Sequence, residues 1–270
     1  MFFLLKNSTL KAHQDDEFLT TDTNWTENVR LEEYPYIARV ITNCSYQELK
    51  ESTGVIISRN FVLGVNSKPQ QGCTNIVRIG TGAFGENGID YLTEPIMQKN
   101  DESNTSILNQ LIPFHHIILY KLNKNINYGA RANAIEMLET SDKIQSGDKA
   151  LSNGVDFDIG GGFIGLFKAN IILINENDCK SLYERWAPNY ISKVDDSKRQ
   201  MGIFCSLHHS EQEYPGFSST VILRGKLAGL RTHTLSMSLR GKTYVLNIYL
   251  DVTSVKQWIQ RKLLILDTSR

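Results

Sequence analysis

A succession of apolar runs, each only three to seven residues long, most constrains what this chain can fold into. They are Tyr36 to Ile41, Gly54 to Ile57, Phe61 to Val65, Ile76 to Ile79, His116 to Leu122, Ala169 to Ile174, Val221 to Leu223, Leu227 to Leu230 and Tyr244 to Leu250, separated by Gly, Asn, Ser and Pro. Runs of this length suit strands and are too short for helices that bury a face. Many short strands separated by turn residues predict an all-β fold, a sandwich or a barrel. Two stretches break the pattern. Asp178 to Trp186 is a short polar helix, and Val252 to Leu264 places Val255, Trp258, Ile259 and Leu263 on one helical face, with Lys256, Gln257 and Lys262 turned to solvent. Residues 1–33 are polar, without a sustained period, and are expected to form an extended or disordered leader before a single domain over 34–270.

Composition narrows the function classes. A chain of 270 residues that is 41% hydrophobic can bury a full core as one large β domain. Lys plus Arg equals Asp plus Glu at 29 each, so the basic face expected of a nucleic-acid binder has no support. The longest apolar stretches, Ile171 to Ile174 and Val221 to Leu223, fall far short of the roughly 20 residues that cross a bilayer, so no membrane association is expected. At the start, Met1 to Lys6 holds an apolar run too short for the core of a signal peptide. Against that stand four Asn-x-Ser/Thr sequons, at Asn7, Asn24, Asn43 and Asn104, as glycosylation candidates. Four cysteines, Cys44, Cys73, Cys179 and Cys205, are even in number, as two bridges require, and none forms a CxxC metal or redox spacing. The expectation is a secreted protein whose start is incomplete; a cytosolic chain with four free thiols is the other reading.

Specific residues then separate one β fold from the others. Pro35 to Val40 is followed by Ser52-Thr53-Gly54-Val55-Ile56-Ile57-Ser58, Phe61-Val62-Leu63 and Val77-Arg78-Ile79-Gly80. Then come Ile117 to Leu122, Gly147-Asp148-Lys149-Ala150 with Ser152-Asn153-Gly154, Asn177 to Tyr183, and Gly202-Ile203-Phe204-Cys205. Gly225 to Leu230 and Tyr249 through Ile259 close the series. In this order, from Pro35 to about Leu264, the segments resemble the chymotrypsin/trypsin-like serine proteases. The resemblance implies two six-stranded antiparallel barrels, over about 34–140 and 141–250, and a C-terminal helix over about 252–264. It also implies a Cys179–Cys205 bridge around the intermediate helix. Cys44 and Cys73, whose loops are neighbours in that fold, are left as the second pair, and each bridge would stabilise the fold by about 2–4 kcal/mol.

The same resemblance exposes what is missing. A serine protease needs a His to take the serine proton, a buried Asp to orient that His, and a serine beside backbone N–H donors for the oxyanion. The position that resembles the base holds Ser67, the aspartate position holds His116, and the nucleophile position holds Phe217. Pro215 stands where a glycine N–H would serve the oxyanion, and proline has no such hydrogen. Gly216 stands where the family keeps the aspartate that pairs with a newly cut N-terminus, and nothing before Tyr34 resembles the Ile-Val-Gly-Gly start.

A displaced nucleophile, Ser218 or Ser219, is the enzymatic alternative, with imidazoles from His115/His116 or His208/His209. No His lies between His13 and His115, so the usual loop cannot supply the base. The His pairs lack a third metal ligand at a readable spacing, Gly160-Gly161-Gly162 is not a phosphate-binding GxGxxG, and Glu211 reads as an exposed charge. No cofactor and no metal are expected. The resemblance implies a non-catalytic serine protease homologue, a monomer that binds a protein partner as a cofactor, decoy or regulator in a secreted protease cascade or a secretion.

Overall fold

Alternating inward and outward side chains roll residues 37–122 into a closed barrel. The computed structural model describes residues 25–26, 29–44, 50–66, 73–81, 88–97, 116–157, 163–186, 202–209, 219–239 and 242–267. Strands β2 (Ile37–Cys44), β3 (Lys50–Ser58), β4 (Phe61–Asn66), β5 (Cys73–Ile79), β6 (Ile89–Met97) and β7 (His116–Leu122) close in the order β2-β3-β4-β7-β6-β5, all antiparallel. Ala38 opposes Ile79 and Val40 opposes Val77, so these residues fill the interior with Tyr91, Ile118 and Tyr120. Arg39 opposes Arg78 on the outer face, where the two guanidiniums pair with Glu51 and Asp90. Inside, no room is left at Gly54, where a Cβ would lie 2.7 Å from Val62 and 2.8 Å from Val40. The apolar pattern does not mark β6, because Asp90, Glu94 and Pro95 interrupt it; Pro95 nonetheless opposes Tyr120 in the β6–β7 pair.

A second ring follows. Strands β8 (Lys149–Phe157), β9 (Phe163–Ile174), β10 (Ile203–His209), β11 (Thr220–Leu223), β12 (Lys226–Leu239) and β13 (Lys242–Asp251) run β9-β10-β13-β12-β11-β8, and the β8–β9 pairing closes the barrel. The β11–β12 hairpin turns on Arg224 and Gly225, with φ of 53° and 75°. Two successive left-handed residues give a turn whose twist matches that of the strands. Gly229 on β12 lies under the Phe204 ring, where a Cβ would meet ring carbons at 2.5 Å and 2.6 Å.

Part of the expected leader is placed on this second barrel. A two-residue strand β1 (Trp25–Thr26) pairs with Ala169 and Lys168 of β9, Val29 N–H donates to the Leu166 carbonyl, and Leu31 is buried. The rest, residues 1–24 and 27–28, lies outside the described residues.

One apolar cluster spans both rings, joining Val55, Phe61, Leu63, Val65 and Leu119 of the first to Val221, Leu227, Leu230 and Leu250 of the second. The connecting residues 123–148 stitch the rings together. Asn133 N–H donates to the Pro35 carbonyl and Ile135 N–H to that of Ile56 on one side, while on the other Leu138 N–H donates to the Leu227 carbonyl and Leu227 N–H to that of Glu136. Helix α1 (Glu176–Trp186) precedes β10, and helix α2 (Lys256–Asp267) ends the described chain after a single 3-10 turn, Val252–Ser254. Val255 and Ile259 of the expected apolar face are buried in the common core, with Trp258 and Leu263 packed against it. Lys256 corrects the expectation that it faces solvent: it is 6% exposed, and its Nζ donates to the Leu138 carbonyl at 3.1 Å beside Glu139 at 2.7 Å. An ammonium on a long stem can serve buried carbonyls at the seam between layers, which helical spacing alone does not reveal.

Candidate functional site at the seam between the barrels

The two barrels meet where β4 approaches β12 and where β2 and β3 approach β8. Strand register aligns Asn66, the last residue of β4, with His116, the first of β7. The end of β4 and the start of β7 therefore share one end of the first barrel. Ser67 itself lies outside the described residues, and His116 is described only as backbone of β7. Phe217, Pro215, Gly216 and Ser218 also lie outside them, as do His115, Glu211 and Gly160-Gly161-Gly162.

Ser219 is described and has none of a nucleophile's attributes. It is 2% exposed, its carbonyl accepts the Arg231 N–H at 2.8 Å, and its hydroxyl has no hydrogen-bond partner among the described residues. An activated serine needs a base beside its hydroxyl, and among the described residues none stands there. The imidazole at His208 is 2% exposed inside the second barrel, with its Nδ1 3.5 Å from Asn247 Nδ2. Thr234 Oγ1 donates to Asn247 Oδ1, and the Ser206 and Tyr249 hydroxyls lie 3.0 Å apart on the neighbouring rungs. His233 is half-buried, and loss of hydration holds its imidazole below the usual histidine range. Among the described residues no three His, Cys, Asp or Glu gather into a metal-binding group.

A polar network that the sequence does not advertise crosses the seam. Asn153 Nδ2 donates to the Tyr36 hydroxyl at 2.6 Å, and Thr220 Oγ1 donates to the Asn153 carbonyl at 3.2 Å and also to its side-chain oxygen. Val155 N–H donates to Thr53 Oγ1 at 3.0 Å. Asn153, Thr220 and Thr53 are all 2% exposed or less, and burial first of all pushes the Tyr36 hydroxyl far above the usual tyrosine range. Four polar residues from β3, β8, β11 and the chain just before β2 therefore fix the two barrels against each other in one register.

Both cysteine pairs are disulfides. Cys44 and Cys73 are directly opposed at the end of the β2–β5 ladder, with Cα atoms 4.2 Å apart, and Cys179 of α1 joins Cys205 of β10 across 5.4 Å. Of the sequons, Asn43 is exposed on the outer face of β2, whereas Asn7, Asn24 and Asn104 lie outside the described residues.

No family model matches the sequence, and no curated protein does. Solved structures do match the fold. The scabies mite inactivated protease paralogue S-D1 is 14% identical with a TM-score of 0.63, covering 87% of this chain and 95% of its own. A second scabies mite inactivated paralogue, S-I1, is 12% identical with a TM-score of 0.61, over 88% of this chain and 97% of its own. Neuropsin, a serine protease of mouse brain, is 17% identical with a TM-score of 0.59, over 87% and 97%. At such identities the likeness establishes the architecture: the chain has the trypsin-like double β-barrel fold.

Proposed function

We propose that this double barrel is a secreted, non-catalytic serine protease homologue that acts by binding a protein partner. The observation that supports the reading is the identity of three residues in the sequence. The segments that resemble the family carry Ser67, His116 and Phe217 where base, orienting acid and nucleophile would stand. None can perform its role: a serine does not take a proton from another hydroxyl at neutral pH, an imidazole does not replace the carboxylate that orients a base, and a phenyl ring cannot attack a carbonyl. Pro215 and Gly216 further remove an oxyanion donor and the partner of a cleaved N-terminus. Loss of a single member of such a constellation costs orders of magnitude in rate, so loss of all three leaves no proteolysis to measure.

Two neighbours described as inactivated protease paralogues are consistent with this reading, and the two disulfides are consistent with secretion. A pair of barrels built on one shared core is suited to protein recognition, because surface loops can vary without disturbing that core. A monomer that serves as cofactor, decoy or regulator in a protease cascade or secretion fits these properties. Candidate glycans at Asn43 and the other sequons fit the same compartment.

The test is turnover of casein and a mixed fluorogenic peptide library by the disulfide-intact protein and by a Ser218→Ala, Ser219→Ala double variant. Neither is expected to exceed the blank. Hydrolysis by the natural chain that the double variant loses would overturn the reading in favour of a displaced nucleophile.

A further inference from the structure

The two disulfides occupy opposite environments. Cys179 and Cys205 are both fully buried, between α1 and the core of the second barrel. Cys44 and Cys73 are both partly exposed, at the last rung of the β2–β5 ladder. Among the described residues theirs is the last rung of that ladder, so the covalent bond ties the two strands at their described ends. Next inward, Asn43 opposes Thr74, whose Oγ1 donates to the Asn43 carbonyl at 3.5 Å, and then Thr42 Oγ1 donates to Asn75 Oδ1 at 2.9 Å. Strand ends fray at low cost, whereas exposing Cys179 or Cys205 requires opening a packed core.

We infer that the Cys44–Cys73 bridge is a selectively reducible clasp on the first barrel, opened by a dithiol reductant while the Cys179–Cys205 bridge and the second barrel stay closed. A thiolate of the reductant attacks one sulfur, forming a mixed disulfide and releasing the other cysteine as a thiolate. The reductant's second thiol then resolves the mixed disulfide. The bridge gains two electrons and two protons and becomes two thiols, and the dithiol is oxidised to its own disulfide. Access decides which bridge reacts, since attack must come along the S–S axis and only one bridge can be approached without unfolding. The opened form keeps both rings, because the rungs from Thr42 to Ala38 continue to pair β2 with β5. Its β2–β5 end is loosened at the barrel end reached six residues after the Ser67 position.

The experiment uses the full native chain in a graded dithiothreitol series, with timed iodoacetamide quenching and peptide mass spectrometry at each cysteine. Cys44 and Cys73 are expected to be alkylated at least tenfold faster than Cys179 and Cys205, and hydrogen exchange in the partly reduced protein is expected to rise in β2 and β5 alone. A Cys44→Ser, Cys73→Ser variant is expected to melt about 10 °C lower with its second bridge intact, from the usual effect of a bridge closing a loop of this size. Simultaneous opening of both bridges, or earlier opening of Cys179–Cys205, would overturn the inference. The natural chain's reduction rates decide the matter even if the double variant does not fold.

Discussion

At the scale of single residues, the seam gathers buried polar atoms whose partners are specific. Tyr36 accepts from Asn153, and Asn153 in turn accepts from Thr220, so removing one hydroxyl strands a donor that cannot reach water. Tyr36→Phe is therefore expected to destabilise the protein by about 1–3 kcal/mol, the usual cost of a buried group left unpaired, as read from urea unfolding. His233 makes a prediction in pH. Burial lowers its folded-state pKa below 6.5, so the folded chain binds fewer protons than the unfolded chain as pH falls through that value. Its contribution is present in full above about pH 7 and declines as pH falls through the unfolded and then the folded pKa. His233→Gln is expected to flatten this part of the stability profile, which urea midpoints at a series of pH values would show; an unchanged slope would exclude His233 as its source.

At the scale of elements, α2 is held by its first residue as much as by its apolar face. Lys256→Met keeps most of the stem's packing but leaves the Leu138 and Met137 carbonyls without their charged donor, for an expected loss of about 2 kcal/mol. Glu139→Gln is expected to cost less than about 0.5 kcal/mol, because that carboxylate is largely exposed and its ion pair is screened. Chemical unfolding of the two variants and their double variant separates the contributions. This contrast also marks the limit of the sequence. Strands with an unbroken apolar run, such as His116–Leu122, show themselves, and so does the helical face of Val255 and Ile259. The strand Ile89–Met97 does not, because its charges and proline suit a curved barrel wall that only neighbouring strands define. Lys256 and Asn153 are equally silent, since nothing local distinguishes a polar residue that faces solvent from one that meets a partner more than a hundred residues away. Of the candidate site, the proposed reading rests on the identities of Ser67, His116 and Phe217 in the sequence, whereas the register that sets Asn66 opposite His116 is a property of the closed barrel.

At the scale of the whole molecule, the two rings share one apolar core instead of meeting across a wet interface. They are expected to unfold together, with coincident melting by far-UV circular dichroism and by tryptophan fluorescence; two resolved transitions would show independent barrels. Neither the common core nor the seam network, as described, rests on one of the three proposed triad positions. The central claim is that this scaffold has become a binding protein without a reactive serine. Its most direct test is a fluorophosphonate probe applied to the purified, disulfide-intact chain beside an active serine protease, with adducts located by peptide mass spectrometry. The account predicts labelling of the control protease and none on this chain; an adduct at Ser218 or Ser219 would contradict it.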